Sequence, residues 1–182
     1  MNKFLKWTLI VLGSLAALAF IGFQVMKSNT KKASPEGTVA YAKDGLKVDI
    51  FYNRPSKRGR VIFGELVPFG QVWRTGANEA TTFETNKDLT IGGQVLPAGK
   101  YTLWTLPGAN EWKVMFNKEM YGWGVDFDQK AQRKPESDAL QVTVVPQELP
   151  EVMEMFTITI EDQPVPTLVL AWDRTRIAVP MQ

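Results

Sequence analysis

LPAGKYTLWTLPGANEWKVMFN, residues 96–117, contains two apolar stretches that are separated by a Pro-Gly turn. In the second stretch apolar and polar side chains alternate, with Trp112, Val114 and Phe116 set against Lys113 and Asn117. Such alternation places one face of an extended chain in a core. Residues 97–99 and 107–110 have the Pro, Gly and Asn typical of tight turns. The stretch therefore predicts a β-hairpin with one buried face.

The same period-two pattern recurs from Thr38 onward, and turn residues such as Gly92-Gly93 and Asp173-Arg174 separate its segments. Strands are predicted at 38–42, 46–52, 59–63, 71–74, 81–86, 89–91, 94–96, 100–106, 111–117, 140–146, 152–161, 167–172 and 175–179. Many short antiparallel strands without a long amphipathic helix predict an all-β fold, an antiparallel, jelly-roll-like β-sandwich. Any helix within it is expected at residues 119–131.

The N-terminal segment departs from this pattern. Residues 7–26 form an uncharged apolar run about as long as a bilayer-spanning helix. The sequence therefore predicts a membrane anchor within residues 1–26, a flexible linker over 27–37 and a β-sandwich domain over 38–182. A cleaved signal peptide is the alternative, because Ala17-Leu18-Ala19 resembles a small-residue cleavage site.

The chain contains no His and no Cys. This composition excludes Ser-His-Asp and Cys-His catalysis, thiolate redox chemistry, ordinary zinc sites and a lipid-modified cysteine. Ser56 and Lys57 make a poor dyad, because adjacent residues of an extended chain point to opposite faces. Asp126 and Asp128 have a spacing that can ligate calcium, but the further oxygen ligands of a calcium loop are missing. The sequence therefore predicts no metal and no cofactor.

Charge is distributed unevenly along the chain. Residues 135–173 contain eight acidic residues and no Lys or Arg, whereas residues 50–74 contain four of the seven Arg. One interpretation is that the two segments complement each other and keep the surface soluble. The other is that the basic segment forms an anion-binding mouth. Nucleic-acid binding is disfavoured, because the basic patch is short and the acidic stretch is long.

The run WRTGANEAT, residues 73–81, contains the candidate site. Its Arg74, Asn78 and Glu79 supply a fork of donors, an amide and an acceptor, which suit a polyhydroxylated or anionic ligand. Arg74 is expected to be held by a carboxylate, either Glu79 or Glu65. The predicted ligand-binding residues are Arg54, Arg60, Arg74, Asn78 and Glu79.

Two further interpretations of this region stay open at the level of sequence. The tryptophans could offer flat faces to a sugar ring, although Trp in a β-rich protein is usually part of the core; they are Trp73, Trp104 and Trp123. Alternatively, the run is a buried polar corner that locks the fold, with Gly76 allowing a tight connection.

Three blocks of the sequence resemble a known bacterial family: RPSKRGR at 54–60, WRTGANEAT at 73–81 and LPAGKYTLWTLPG at 96–108. They closely resemble the domain of unknown function 2911, and the resemblance extends over roughly residues 38–180. It implies a compact all-β domain that is exported or membrane-tethered in Bacteroidota-type bacteria. It implies no catalytic residue.

These observations predict a membrane-tethered envelope protein, held in the cell membrane by a single pass at residues 7–26, with its domain facing the periplasm. Lys residues flank both ends of the apolar run, so the orientation rests on the family resemblance. The leading hypothesis is binding of a small, anionic or glycan ligand, or of an envelope partner protein, through the surface from Arg54 to Glu79. The alternatives are a hydrolase that uses Glu65 and Glu79 as acid and base, and a structural subunit of an envelope complex.

Overall fold

The computed structural model describes residues 2–162 and 164–182, and within these ranges one long α-helix precedes ten strands, with a short 3₁₀ helix at Pro135–Ser137 between the seventh and eighth strands. The helix, α1, spans Lys3–Ala33. The strands are β1 (Glu36–Lys43), β2 (Leu46–Asn53), β3 (Thr82–Thr85), β4 (Leu89–Ile91), β5 (Gln94–Leu96), β6 (Gly99–Leu106), β7 (Trp112–Asn117), β8 (Asp138–Val144), β9 (Gln147–Glu161) and β10 (Thr167–Pro180). The chain divides into two compact units, Met1–Ala33 and Ser34–Gln182.

Helix α1 is long and apolar enough to cross a membrane, with a mean hydropathy of 2.2 over an 18-residue stretch that is not buried. Such a helix fits a membrane anchor or a signal sequence. The predicted flexible linker is wrong up to Ala33, because the helix continues through it. No Gly or Pro interrupts residues 27–33, and Lys31 and Lys32 in the last turn interact favourably with the helix dipole. Helical geometry is disfavoured at the next residue, Ser34, because a proline follows it.

The strands form antiparallel sheets. Within the described ranges the largest sheet has six strands in the order β1-β2-β3-β6-β7-β8. Strands β9 and β10 form a long two-stranded ribbon, and β4 and β5 form a short hairpin. The predicted all-β, sandwich-like fold is therefore confirmed, as is the hairpin that was expected from residues 96–117, which the structure contains as β6 and β7.

One hydrophobic core contains residues of both the six-stranded sheet and the ribbon. Alternate side chains of β2, β6 and β7 enter it, together with side chains of β9 and β10. An aromatic cluster joins the two: Trp73 stacks on Trp172 with ring centroids 5.9 Å apart, and Phe63 meets both rings edge-on. Aromatic side chains bury large areas and favour these geometries, so the cluster fixes the ribbon against the loops that precede β3.

Two predicted strands, at 59–63 and 71–74, are wrong. Residues there form only the isolated bridges Phe63–Val67 and Trp73–Thr105. The chain instead folds back on itself, with Val67 N donating to Ile62 O at 2.9 Å. These local bonds satisfy the main chain without a sheet partner, so apolar residues such as Ile62 reach the core from irregular backbone.

Two other expectations also need correction. The helix expected at 119–131 is replaced by turns, because Gly124 has a φ of +76° and the Asp126 carboxylate accepts main-chain N–H bonds. The turn expected at Asp173-Arg174 is instead a bulge inside β10, which pairs with β9 on both sides of it. Asp173 absorbs the irregularity with a φ of +55°.

Candidate functional site

The WRTGANEAT run begins beside β6, where Trp73 pairs with Thr105, and leads directly into β3. It is a tight, largely buried connection. At its start Trp73 N donates to Thr105 O at 2.7 Å, and Thr105 N returns a bond of 3.0 Å to Trp73 O. Its middle needs unusual backbone, with φ of +151° at Gly76 and +54° at Asn78. A Cβ at Gly76 would lie 2.9 Å from the carbonyl oxygen of Asn53. The run therefore packs directly on the end of β2, where only glycine fits.

A buried network of side chains ties this connection to β2. Asn78 Nδ2 donates to Asn53 Oδ1 at 3.4 Å and to Ser34 O at 3.3 Å, and Asn53 Nδ2 donates to Glu79 Oε2 at 3.1 Å. Thr81 Oγ1 donates to Thr75 O at 2.6 Å. No buried side-chain nitrogen or oxygen among the described residues lacks a hydrogen-bond partner. The network, here called the polar corner, consists of Asn53, Thr75, Asn78, Glu79 and Thr81.

Asn53 is a residue of the polar corner that was not predicted from the sequence. It is fully buried at the end of β2, although the alternation of LKVDIFYN places it on the same side of the strand as the exposed Lys47 and Asp49. An amide in that position needs hydrogen-bonding partners, and the structure supplies them from the candidate run. Because the period-two pattern points Asn53 away from the core, its burial follows only from the packing of the candidate run against the end of β2.

Arg74 lies at the edge of the polar corner and is half-buried. Its Nη1 donates to the carbonyl oxygen of Trp123 at 3.1 Å, so its hydrogen bond goes to main chain instead of the expected carboxylate. Burial lowers the pKa of Arg74, and the negative charge of Glu79 opposes that shift. The other guanidinium N–H groups donate no hydrogen bond to any residue in the described part of the chain. Arg74 is thus a partly desolvated cation that has unused N–H donors and lies near the Glu79 carboxylate.

Arg54 and Arg60 have other partners. Arg54 Nε donates to Phe156 O at 3.3 Å and its Nη2 donates to Thr157 Oγ1 at 3.1 Å, which pins β2 to β9. Arg60 Nε donates to Lys57 O at 3.0 Å, within its own loop. Neither shares a hydrogen-bond partner with Arg74 in the described chain, so the structure does not join the five predicted binding residues into one hydrogen-bonded group.

The basic segment 54–60 closes on the acidic ribbon, and this contact is here called the clasp. Lys57 Nζ bonds Asp173 Oδ2 at 2.7 Å, and Ser56 Oγ donates to Glu154 Oε1. Arg58 N also donates to Glu154 Oε1, at 2.9 Å. These two hydrogen bonds, with that from Ser56 the stronger cause, lower the pKa of the Glu154 carboxyl. The basic segment 54–60 and the acidic ribbon therefore pair their opposite charges within the fold.

The three tryptophans differ in exposure. Trp73 lies in the aromatic cluster, and Trp104 is fully buried with Nε1 donating to Thr102 Oγ1 at 2.9 Å. Trp123 is 36% exposed, next to its main-chain bond with Arg74. Of the three, Trp123 keeps a face that a ligand can contact.

The carboxylates proposed for hydrolysis lie in different settings. Glu65 is exposed on the turn between Gly64 and Val67, and it makes no hydrogen bond or ion pair with the residues that the structure describes. Glu79 accepts its bond from Asn53 inside the polar corner. Asp126, considered for calcium, caps a turn by accepting from Asp128 N and Lys130 N, both at 2.9 Å. Over residues 2–162 and 164–182 no group of three or more carboxylates is arranged to hold a metal ion.

A separate groove lies away from these residues. It has a volume of about 360 Å³ and is formed by the β4–β5 hairpin, β8 and the end of β10. Its lining residues are Thr90, Ile91, Gly92, Gly93, Val142, Thr143, Val144, Val179, Pro180 and Gln182. None of them is charged, and none of the predicted site residues is among them.

Comparison with known protein families gives a match to the β domain. The sequence model of a family described as Protein of unknown function (DUF2911) matches residues 34–181, which begin directly after α1 and include all ten strands. No curated protein and no solved structure matches the chain.

Proposed function

The chain belongs to the DUF2911 family, and we propose that it is a membrane-tethered binding protein whose β domain recognises a small anionic or polyhydroxylated ligand at Arg74. The observation that carries this proposal is the state of the Arg74 guanidinium. It is half-buried, makes one hydrogen bond to main chain, and keeps its other donors unused by the described residues.

An arginine in this state suits an anion. The planar guanidinium can donate two parallel N–H bonds to a phosphate or carboxylate, and partial burial strengthens such bonds relative to water. Arg74 remains protonated at neutral pH despite the lowered pKa, because arginine begins from so high a value.

The neighbours of Arg74 add selectivity for a sugar-like ligand. The Glu79 carboxylate, whose charge acts on Arg74, can accept hydrogen bonds from hydroxyl groups. Trp123 offers a partly exposed aromatic face next to the same guanidinium. A sugar phosphate or an acidic sugar has the anion, the hydroxyls and the apolar ring face that these three side chains match.

Asn78 is not part of this proposed contact surface. Its amide is spent within the polar corner, so it supports the ligand-binding residues by fixing the run that carries them. Arg54 and Arg60 likewise support the fold through β9 and the loop 57–60. The placement of the domain in the envelope, facing the periplasm, is part of the proposal and draws on α1 and the family resemblance.

Binding measurements on an Arg74 variant test this function. The full chain would be titrated with a panel of sugar phosphates and acidic sugars by calorimetry, in parallel with Arg74→Lys and with Arg174→Lys as a matched control. Arg174 is exposed, with its Nη1 4.0 Å from Glu148. Lysine keeps the charge but loses the planar fork, so Arg74→Lys should weaken binding by about 10-fold or more, whereas the control should bind as wild type does.

The proposal fails if no member of the panel binds wild type, or if Arg74→Lys binds as tightly as the control. A folding check accompanies the titration. Loss of the bond to Trp123 O leaves an acceptor unpaired, so Arg74→Lys is expected to cost about 1–3 kcal/mol of stability and still leave a folded domain.

A further inference from the structure

The loop between β7 and β8 exposes three large apolar side chains, and of these only Trp123 has a role in the proposed function. Met120 is 50% exposed, Trp123 is 36% exposed and Phe127 is fully exposed. Large apolar side chains that cluster on a surface commonly mark an interaction site. Residues 118–134, here called the aromatic loop, are therefore a candidate interaction site.

The tip of the aromatic loop is an ordered turn. The Asp126 carboxylate accepts from Asp128 N and Lys130 N at 2.9 Å, and Gln129 N donates to Asp126 O at 3.1 Å. Val125 and Ala131 form a bridge below the turn. Phe127 is thus held outward by a preformed scaffold, and contact with a partner would require little further ordering of the loop.

The aromatic loop lies at the end of the β domain where the chain enters it from α1. Asn78 Nδ2 contacts the carbonyl oxygen of Ser34, the residue that directly follows α1. Two residues further on, Ala80 N donates to Gly122 O at 3.0 Å, and the same run reaches Trp123 through Arg74. A chain of direct hydrogen-bonded contacts therefore connects the entry point of the domain to the loop.

Only Ser34 and Pro35 separate the end of α1 from the start of β1. The apolar run ends at Met26, so seven helical residues with a rise of about 1.5 Å each and two extended residues of at most about 7 Å together keep a membrane that holds α1 within about 18 Å of this end of the domain. Because the chain connects α1 to this end of the domain, a bilayer is the partner that the connection favours for the aromatic loop.

We infer that the aromatic loop is a membrane-docking element, which places Trp123 and Phe127 in the interfacial layer of the bilayer that holds α1. Aromatic side chains favour this layer, where an apolar ring and a polar edge are both accommodated. Exposed Lys118, Lys130 and Lys134 flank the apolar side chains and can reach lipid phosphates. The inference rests on a retained α1, as the proposed function does, and it needs no ligand at Arg74.

Docking is driven by the apolar side chains more than by charge. The acidic residues of the loop nearly balance its basic ones: they are Glu119, Asp126 and Asp128 against Lys118, Lys130, Arg133 and Lys134. Arg133 is in addition paired with Asp138. The loop should therefore bind vesicles of zwitterionic phosphatidylcholine, which carry no net charge, and added salt should change its binding little.

A labelling experiment tests the inference, and the absence of cysteine from the chain makes single-site labelling clean. The full chain, with α1 verified by intact mass, would carry one environment-sensitive dye at Lys130→Cys and be reconstituted in phosphatidylcholine vesicles containing nitroxide headgroup lipid. The control is the same dye at Ala42→Cys, which is exposed near the far end of β1, about 20 Å from Glu36 by the rise of a strand.

Docking predicts about twofold more quenching at position 130 than at position 42, and Phe127→Ser should remove that difference. Phe127 is fully exposed, so the unchanged melting temperature of the variant would show that folding is intact. Equal quenching at the two positions overturns the inference. So does quenching that survives Phe127→Ser, because the tether alone would then account for proximity. Shielding of the loop in native membranes but not in lipid vesicles also overturns it, in favour of a protein partner. Binding at Arg74 is measured independently, so the two proposals fail separately.

Discussion

At the scale of single residues, the polar side chains of the WRTGANEAT run have two different roles. Asn78 is buried and bonded to Asn53 and Ser34, whereas Arg74 lies at the edge with donors to spare. The sequence is compatible both with a ligand-binding site and with a buried polar corner that locks the fold, because the residue types of the run suit either. The position of Asn53 distinguishes these two interpretations for Asn78. Asn53 lies 25 residues earlier in the chain and contacts Asn78 only when β2 and the run have packed together.

Replacing Asn78 measures the strength of the polar corner. Asn78→Ala should destabilise the protein by about 1–3 kcal/mol, since the buried acceptors on Asn53 and Ser34 lose their donor. Asn110→Ala, in the exposed turn before β7, is the matched control and should stay within about 0.5 kcal/mol. Chemical denaturation of both variants gives the comparison. Equal stability of the two would show that the network contributes nothing to folding.

The Glu154 carboxylate makes the clasp sensitive to acid. Its pKa in the folded protein is lowered from 4.5 by the bonds from Ser56 and Arg58 N. A group with a lowered folded pKa stabilises the fold above its unfolded pKa, and that contribution is lost as the pH falls through the folded value. The difference in melting temperature between wild type and Glu154→Gln should therefore be constant near neutral pH and shrink from pH 4.5 downward. A difference that does not change with pH would contradict this account.

At the scale of elements, alternation identifies strands where one face is buried and the other is wet. It succeeds for the six strands of the largest sheet, β1, β2, β3, β6, β7 and β8, because one face of that sheet packs on the hydrophobic core. It fails at 59–63 and 71–74, where Ile62 is buried and Phe63 and Trp73 pack against the core but the backbone is irregular. Burial and regular pairing are separate properties, and the pattern reports only burial.

The connection that carries the candidate run depends on Gly76. Alanine there would place a Cβ 2.9 Å from the Asn53 carbonyl oxygen at a φ of +151°, so Gly76→Ala should destabilise by about 3 kcal/mol or more. Gly70→Ala is the control, because it also has positive φ, +73°, but no atom lies within 4 Å of the added Cβ. It should cost about 1 kcal/mol. Urea unfolding of the pair isolates the close approach from the backbone cost, and equal losses would argue against a steric requirement at Gly76.

At the scale of the whole molecule, a long apolar helix precedes a β domain after two residues of connection. Composition alone identifies the apolar run, since no fold is needed to read twenty uncharged residues. It does not reveal that the helix continues to Ala33, because Lys-rich segments suit both solvated linkers and helix ends.

Protease accessibility tests the proposed topology. Protease added outside spheroplasts should digest the β domain and leave a membrane-bound fragment that contains residues 7–26, while a cytoplasmic marker protein stays intact. Protection of a full-length, membrane-bound chain would reverse the orientation. A mature N-terminus at Phe20 would instead establish cleavage after Ala19.

The clasp also constrains the order in which the domain acquires its structure. Its bonds join partners that lie far apart in the chain: Ser56 and Glu154 are 98 residues apart, and Lys57 and Asp173 are 116 apart. Closing so long a loop costs chain entropy before any contact compensates it, which places a fold of this type among the slow folders. The N-terminal strands must wait for β9 and β10 before their basic segment finds its partners. During synthesis, a nascent chain that ends before Asp173 cannot yet form the Lys57–Asp173 bond that completes the clasp.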